Sequence, residues 1–352
     1  MAIDIFPIIK ILTIAIISFI IALFGTPILT HFLYKYKLGK RIRNEGKTPI
    51  FTALHKKKEG TPTMGGILIW VVVSFVALII LLLAKWLGPD TIFSDFNFLT
   101  RQQTLLPLGI LLFAAIIGLA DDFIGISKIG GKRRGLRMKH RLMLFFLIAL
   151  VGALWFYFKL DWDLIRIPFI GDFNIGIWYI PIFIFVIMAT SFSTNQTDGL
   201  DGLVGGVLLT AFSSYVVISY MQGRLELATF CGAIVGALLA FLWFNIHPAR
   251  FFMGDTGSMS LGVTLGVIAM LTNSLFFLPF IGFILVIESL STIVQILSKK
   301  IRKKKIFLSA PIHHHFEARG WPETKVTMRF WIISSMVAII GLILFFIDFN
   351  IL

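Results

Sequence analysis

Residues 105–122 read Leu-Leu-Pro-Leu-Gly-Ile-Leu-Leu-Phe-Ala-Ala-Ile-Ile-Gly-Leu-Ala-Asp-Asp, and the last two residues decide how the chain is read. From Leu105 to Ala120 nothing is charged, so the segment predicts a membrane-spanning helix that runs straight into two carboxylates at the membrane–water boundary. One Asp at the centre of such a helix costs about 2.5–3.5 kcal/mol. Adjacent carboxylates also repel, and the charged pair is disfavoured unless a cation lies beside it. Solvated acids at a helix end would account for one Asp. Asp121 and Asp122 together, followed by a strongly basic segment, point to a divalent metal or to a phosphate-handling site at the membrane surface.

The rest of the chain extends the membrane reading. Of its 352 residues 57% are hydrophobic, against about 45–50% in soluble domains, and the mean hydropathy is +0.91. Apolar runs of roughly 18–24 residues predict an all-α, polytopic membrane protein of about ten spans. They fall at 8–33, 65–87, 104–120, 141–158, 176–194, 202–221, 226–245, 257–272, 275–298 and 327–349. No segment outside them is long enough to fold alone, so one transmembrane domain is expected over 1–352. Cys231 is the single cysteine, which excludes an intrachain disulfide framework. The first run lacks a basic n-region and an A-x-A cleavage site, and is expected as a retained helix.

A net charge of +14 would suggest nucleic acid in a soluble protein. Here the positive-inside rule explains it without a nucleic-acid partner, because the charges cluster on alternate loops. Loop one carries Lys35, Lys37, Lys40, Arg41, Arg43, Lys47, Lys56, Lys57 and Lys58; loop three carries Lys128, Lys132, Arg133, Arg134, Arg137 and Lys139. Loop nine carries Lys299, Lys300, Arg302 to Lys305, Arg319 and Lys325, and loop seven adds Arg250. The even loops hold acids such as Asp90, Asp161, Asp163 and Asp172 among a few cations. Odd loops are therefore expected in the cytoplasm, with both termini outside.

The unusual polar residues gather on those odd loops. Asp121-Asp122 opens loop three, Asn195 to Gly202 fills loop five, Asn245 to Asp255 fills loop seven, and His313-His314-His315 lies in loop nine. Sorting of this kind suits an active site facing the cytoplasm. Asp198 and Asp201, three residues apart, would share a helix face if they entered the sixth span, although Asn and Asp are also ordinary turn and cap residues. Asp255 is placed to cap the eighth span, where a helix N-terminus also suits phosphate. Phe252 beside it offers a face on which a flat base can stack.

Three consecutive histidines suggest zinc at first sight. Neighbouring loop residues rarely aim at one ion, however, and no Cys or second His cluster completes a tetrahedral set. Hydrogen bonding or charge donation to phosphates is the better use, with Lys58 and Lys139 as further cations. The ninth span carries Glu288, Ser289, Ser291, Thr292 and Gln295 in its second half, which is expected to face protein or water. Carboxylates for a hard cation, cations for a charged substrate and little covalent machinery make up the equipment of phosphoryl transfer. A site at the membrane surface suggests that one substrate is a lipid. A cation transporter would also place acids in a membrane, but would spread them along a path.

With these residues in view, the chain resembles the phospho-N-acetylmuramoyl-pentapeptide transferases, within the polyprenyl-phosphate N-acetylhexosamine 1-phosphate transferases. The resemblance covers nearly the whole chain. It is carried by Gly60-Thr-Pro-Thr-Met-Gly-Gly66, Asp121-Asp122-Phe123, Asn195 to Leu203, Phe244 to Gly257, and Ala310 to Glu317 followed by Gly320-Trp-Pro-Glu323. The sister branch acting on UDP-N-acetylhexosamines shares the Asp motifs; the triple His with Gly-Trp-Pro-Glu resembles the muramoyl-pentapeptide branch.

The resemblance implies a ten-helix homodimer in the bacterial plasma (inner) membrane, with Mg²⁺ as cofactor. It implies transfer of phospho-MurNAc-pentapeptide from UDP-MurNAc-pentapeptide to undecaprenyl phosphate, giving lipid I and UMP. By motif, Asp255 falls on the Mg²⁺ ligand, Asp121 on the base or nucleophile with Asp122 beside it, and Lys139 on a conserved lysine. Lys58, Asn195, Asp198, Asp201, Asn245, Phe252, Gln295, His313, His314 and His315 fall on nucleotide and substrate positions. One departure stands out: where the family usually reads Ser-Asn-Ala-Val-Asn-Leu-Thr-Asp, this chain has Phe192 in place of the first Asn.

Overall fold

A computed structural model describes residues 5–39, 58–101, 103–126 and 138–351. The basic residues Lys40 to Lys57 and Lys128 to Arg137, on which the expected orientation partly rests, lie outside the described residues. The long helices are α1 (Phe6–Lys35), α2 (Ile67–Leu87), α4 (Leu105–Ile126), α5 (Met138–Lys159), α6 (Tyr179–Thr197), α7 (Leu203–Met221), α8 (Leu225–Asn245), α9 (Gly254–Leu271) and α13 (Glu323–Ile351). Among the described residues, these nine are long and apolar enough to cross a membrane. A tenth span is broken: the segment Leu275–Ile281, which contains the short α10 (Leu278–Ile281), meets α11 (Phe283–Ile301) at a bend of 85°. The chain is thus a multi-pass helical membrane protein. The minor elements are α3 (Ile92–Phe96), α12 (Ile312–Ala318) and one hairpin, β1 (Leu164–Ile167) with β2 (Gly171–Asn174).

The sequence patterning contains no strand, yet the hairpin pairs antiparallel with Leu164 opposite Asn174 and Ile167 opposite Gly171. It is tied to the far end of α13, where buried Asp348 accepts from Arg166 Nε at 2.6 Å and from the Phe169 amide at 2.7 Å. This end of the bundle is opposite the polar cluster described below.

Helix α9 is the axis of the bundle: every residue from Gly254 to Leu271 is buried. It packs against α4, α6 and α7. Its hydroxyls survive burial because they bond back along the helix, Ser258 to Gly254 O at 2.9 Å and Thr264 to Ser260 O at 2.8 Å. Small residues let its neighbours approach, as membrane helices require when lipid supplies no hydrophobic drive between them. A Cβ on Gly257 would lie 2.7 Å from Gly66 Cα, so the start of α2 meets α9 backbone to backbone.

Three boundaries differ from the sequence reading, and all three matter for the site. Asp121 and Asp122 do not open a loop, because α4 continues to Ile126. Asn195 is likewise helical, inside the last turn of α6, while Asp198 follows its end and Asp201 lies in the turn before α7, so the two acids share no helix face. His313 to His315 form part of α12. In the first two cases hydropathy ends before the helix does, because partners in neighbouring helices satisfy the polar turns; α12 is a separate short helix that continues no apolar run.

Candidate active site

The ends of α4, α5, α6 and α9 meet around four carboxyl and amide side chains. Asp121 and Asp122 are successive residues of one helix, about 100° apart around its axis, so they face different partners. Asp121, 2% exposed, forms an ion pair with Arg141 Nε in the first turn of α5. Asp122 Oδ2 accepts the Thr256 amide at 3.0 Å, supplying from α4 the carboxylate that the first turn of α9 lacks from its own cap residue. Asp255 therefore does not act as the side-chain cap that its position in the sequence suggested. Its Oδ1 accepts Asn195 Nδ2 at 2.8 Å, and its Oδ2 meets Arg141 Nη2 at 2.7 Å. One guanidinium thus spans two acids from different helices, a geometry the planar fork of Arg allows and the point charge of Lys does not.

A second cluster adjoins the first. Lys58 Nζ lies 2.6 Å from Asp201 Oδ1, pairs with Glu323 Oε1, and stands 5.8 Å over the Phe252 ring. The other oxygen of Asp201 meets His247 Nδ1 at 3.0 Å and accepts the Ala249 amide at 3.1 Å. Burial alone would raise the Asp201 pKa, but the Lys58 charge and these hydrogen bonds outweigh it and hold the carboxyl below its ordinary value. The Phe252 ring is half-buried, which leaves part of one aromatic face beside a cation.

The two clusters are held in register by backbone. The strap Pro62–Gly66 pairs with the loop entering α9: the Phe252 amide donates to Pro62 O at 2.8 Å, and Gly65 and Gly66 donate to Phe252 O and Met253 O, each at 2.8 Å. Asp198 Oδ2 accepts the Gly254 amide at 3.2 Å, fixing the end of α6 to the same loop.

With that geometry in view, the comparisons with known proteins are decisive. The model described as Glycosyl transferase family 4 matches residues 104–273. The phospho-N-acetylmuramoyl-pentapeptide-transferase signature 1 matches residues 58–69, the strap that carries Lys58 and joins the Phe252 loop. A protein of Chloroflexus aggregans named phospho-N-acetylmuramoyl-pentapeptide-transferase is 38% identical over 344 residues, 94% of this chain and 88% of that one. Proteins of the same name from Anoxybacillus flavithermus and Clostridium perfringens are each 39% identical, covering 93% and 94% of this chain and 95% and 96% of their own. The chain belongs to the phospho-N-acetylmuramoyl-pentapeptide-transferase family. It is an enzyme, a phosphotransferase embedded in a membrane.

Within this family member, the structure brings together Asp121, Asp122, Asn195 and Asp255 in one cluster and Lys58, Asp201 and Phe252 in the other, with Asp198 on the loop between them. Asn245 and Gln295 are close by but engaged with backbone. Asn245 donates to Phe251 O at 2.7 Å and accepts from the Gly202 amide at 3.0 Å. Gln295 donates to Phe307 O at 2.9 Å and accepts the Ile306 and Phe307 amides, each at 3.0 Å. Both amides shape loops. The histidines diverge to three partners: His313 to Glu288, His314 to Glu317, and His315 Nδ1 to the Leu308 amide at 3.2 Å. Burial and then Arg319 lower the His315 pKa, in keeping with a ring nitrogen that accepts.

Lys139 is exposed and makes no ion pair with any described residue. Lys139 and Arg141 are two residues apart, about 200° around α5, so only one of them can face the acids. Arg141 does. Sequence reasoning passed over Arg141, His247 and Glu323; the basic run Lys139-His140-Arg141 at a helix start was the available signal for the first.

Proposed function

We propose that this enzyme transfers phospho-MurNAc-pentapeptide from UDP-MurNAc-pentapeptide to undecaprenyl phosphate, giving lipid I and UMP, with Mg²⁺ as cofactor. The observation that carries the reading is the Arg141 guanidinium shared by Asp121 and Asp255, next to the Phe252–Lys58 face. A phosphate-handling centre and a base-stacking platform at one end of a membrane bundle are what a nucleotide-linked substrate and a lipid acceptor require. The reading takes 1–352 as one domain, working as a homodimer in the bacterial plasma membrane with this end toward the cytoplasm.

Magnesium takes oxygen ligands, and the carboxylates that converge on Arg141 offer them. Asp255 would be its principal ligand. The Asp201, His247 and Glu323 donors also lie within 4.8 Å of one another. That group includes an imidazole in place of an oxygen donor, so it suits a hard cation less. When bound, Mg²⁺ offsets the negative charge of the pyrophosphate.

The protein's own part is positioning and charge. Phe252 stacks on uracil, and Lys58 adds a cation beside it. Arg141 holds phosphate oxygens between the two acids, and Asp121 orients the lipid phosphate or takes its remaining proton. An oxygen of the lipid phosphate bonds to the β-phosphorus of the nucleotide substrate, and the bond to UMP breaks with its electron pair leaving on UMP. A phosphate monoester is already largely ionised at neutral pH, its second pKa being about 6. Direct attack therefore needs no carboxylate nucleophile to approach an anion, and is preferred to an aspartyl-phosphate route.

The test is UMP release by purified protein given both substrates, with UDP-GlcNAc as competitor. Release that needs undecaprenyl phosphate and ignores UDP-GlcNAc is expected; turnover of UDP-GlcNAc instead would move the enzyme to the sister branch. Labelled UMP should not exchange into the nucleotide substrate in delipidated enzyme. Exchange lost in Asp121→Asn would establish the covalent route.

A further inference from the structure

The end of α1 and the loop that leaves α8 enclose a groove of about 430 Å³, lined by Pro27, Thr30, His31, Tyr34 and Arg250. It lies at the active-site end of the bundle, since Arg250 follows Ala249, whose amide donates to Asp201, and precedes the Phe252 loop. The Arg250 backbone is fixed from two sides. Its amide donates to Phe244 O at 2.9 Å, and its carbonyl accepts the Tyr34 hydroxyl at 2.9 Å. Its guanidinium stands 5.4 Å over the Phe244 ring. Among the described residues, that exposed guanidinium has neither an acid nor a hydrogen-bond acceptor.

Counting donors narrows what the groove can hold. The Tyr34 hydroxyl is spent on Arg250, and the Thr30 hydroxyl donates back along α1 to Thr26 O and Pro27 O, each at 3.0 Å. What remains is the fork of Arg250 and an N–H of the exposed His31 ring, with no carboxylate among the lining residues. Such a set suits an acceptor-only anion, and the Arg fork matches two oxygens of a phosphate. The adjoining cavity, which shares Tyr34, holds one acid and one cation, Glu59 and Lys37. The surface beside the groove is apolar. Ile20, Phe24 and Ile28 form an exposed stripe on α1, with Phe24 73% accessible. Leu239, Trp243 and Ile246 form a second at the end of α8, with Trp243 71% accessible. A Cβ at Gly236 would overlap Ala15 O, so the two helices pack side by side.

We propose that this groove is a headgroup site for an anionic phospholipid of the surrounding membrane. The phosphate is held by the Arg250 guanidinium and the His31 N–H, and the two acyl chains lie along the stripes of α1 and α8. Three features favour this occupant. Basic pockets between transmembrane helices are where anionic headgroups bind, because the charge attracts them and the helices exclude water beneath. Trp243 stands where the apolar stripe gives way to polar residues, as aromatic side chains do at a bilayer interface. Two stripes match a lipid with two chains, whereas a polyprenyl phosphate has one. The bound lipid ties α1 to the loop that carries Ala249 and Phe252.

The experiment uses the full chain, delipidated in detergent, with a photoactivatable phosphatidylglycerol as probe. In wild type the label should fall on peptides covering 20–34 and 239–250. Unlabelled phosphatidylglycerol should displace it, and phosphatidylcholine with the same acyl chains should not. Arg250→Gln should cut labelling about fivefold or more, the scale of one basic residue against an anionic lipid. Arg250→Lys should keep part of it, as a charge without the fork. Lys325→Gln removes an equal charge from a residue that does not line the groove, and should change nothing. Equal losses in Arg250→Gln and Lys325→Gln would overturn the proposal in favour of diffuse attraction to a basic surface. Label on other peptides, or displacement by phosphatidylcholine, overturns it as well. Displacement by undecaprenyl phosphate in preference to phosphatidylglycerol would give the groove to the lipid acceptor instead. These wild-type comparisons decide the matter without any variant, should Arg250→Gln fail to fold.

Discussion

Gly118 lies with its α-carbon against the backbone of Asp255: a Cβ there would come within 2.5 Å of the Asp255 carbonyl oxygen and 2.7 Å of Thr256 Cα. The acids of α4 and of α9 share one guanidinium only because the two helices touch at this glycine. At an exposed helical site, Gly to Ala stabilises by about 1 kcal/mol. Here the obstruction is backbone, and overpacking costs about 1–3 kcal/mol. Gly118→Ala should lower the thermal midpoint in detergent and reduce UMP release, as Asp121 and Asp255 are pushed apart. An unchanged midpoint with full activity would refute the close contact.

Arg141 and Lys139 should separate cleanly. Removing the cation between two largely buried acids leaves charge uncompensated, a loss of about 3–5 kcal/mol when a buried pair is broken from one side. Arg141→Gln should therefore lose at least about 10²-fold in activity, the scale of one lost transition-state donor. Arg141→Lys should fall between, because an ammonium cannot reach both acids with a fork. Lys139→Gln should stay within a few fold of wild type. Equal losses in the two positions would reverse the assignment.

Asp255 is the place to test the metal. Asp255→Asn keeps the shape and the acceptance from Asn195 Nδ2 but removes the charge that binds a hard cation. Activity should drop by at least about 10²-fold, with partial recovery at raised Mg²⁺. A variant within a few fold of wild type at limiting Mg²⁺ would remove Asp255 as the principal ligand.

Phe252 should report on the base. Stacking on an aromatic is worth about 1–3 kcal/mol per base, so Phe252→Ala should raise the nucleotide-substrate KM and weaken UMP inhibition together. Phe252→Trp keeps a face beneath Lys58 and should do much less harm. If Ala leaves both constants untouched, the ring carries no base.

Much of this protein is decided along the chain. Hydropathy is a local property, summed over residues that are neighbours in sequence, and a bilayer demands about 20 apolar residues per span. The ten spans, the polar second half of the broken one and the clustering of Asp121, Asp198 and Asp255 near span ends all follow from that arithmetic. The family is legible too, because its motifs, such as the strap from Lys58 to Gly66, are contiguous.

Only the tertiary structure decides which polar residue meets which. Arg141 rather than Lys139 faces the acids because helix phase turns the side chain by about 100° per residue, and phase relative to a distant helix is written nowhere locally. Asn195 and Asp122 stay helical past the apolar run because Asp255 and the Thr256 amide, far away in sequence, satisfy them. Asn245 and Gln295 read as ligand-binding amides, yet their donors and acceptors are occupied by backbone groups of loops that packing brings near. An Asn looks the same in sequence whether it holds a loop or a substrate. Burial and partner decide between them, and both are properties of the folded bundle.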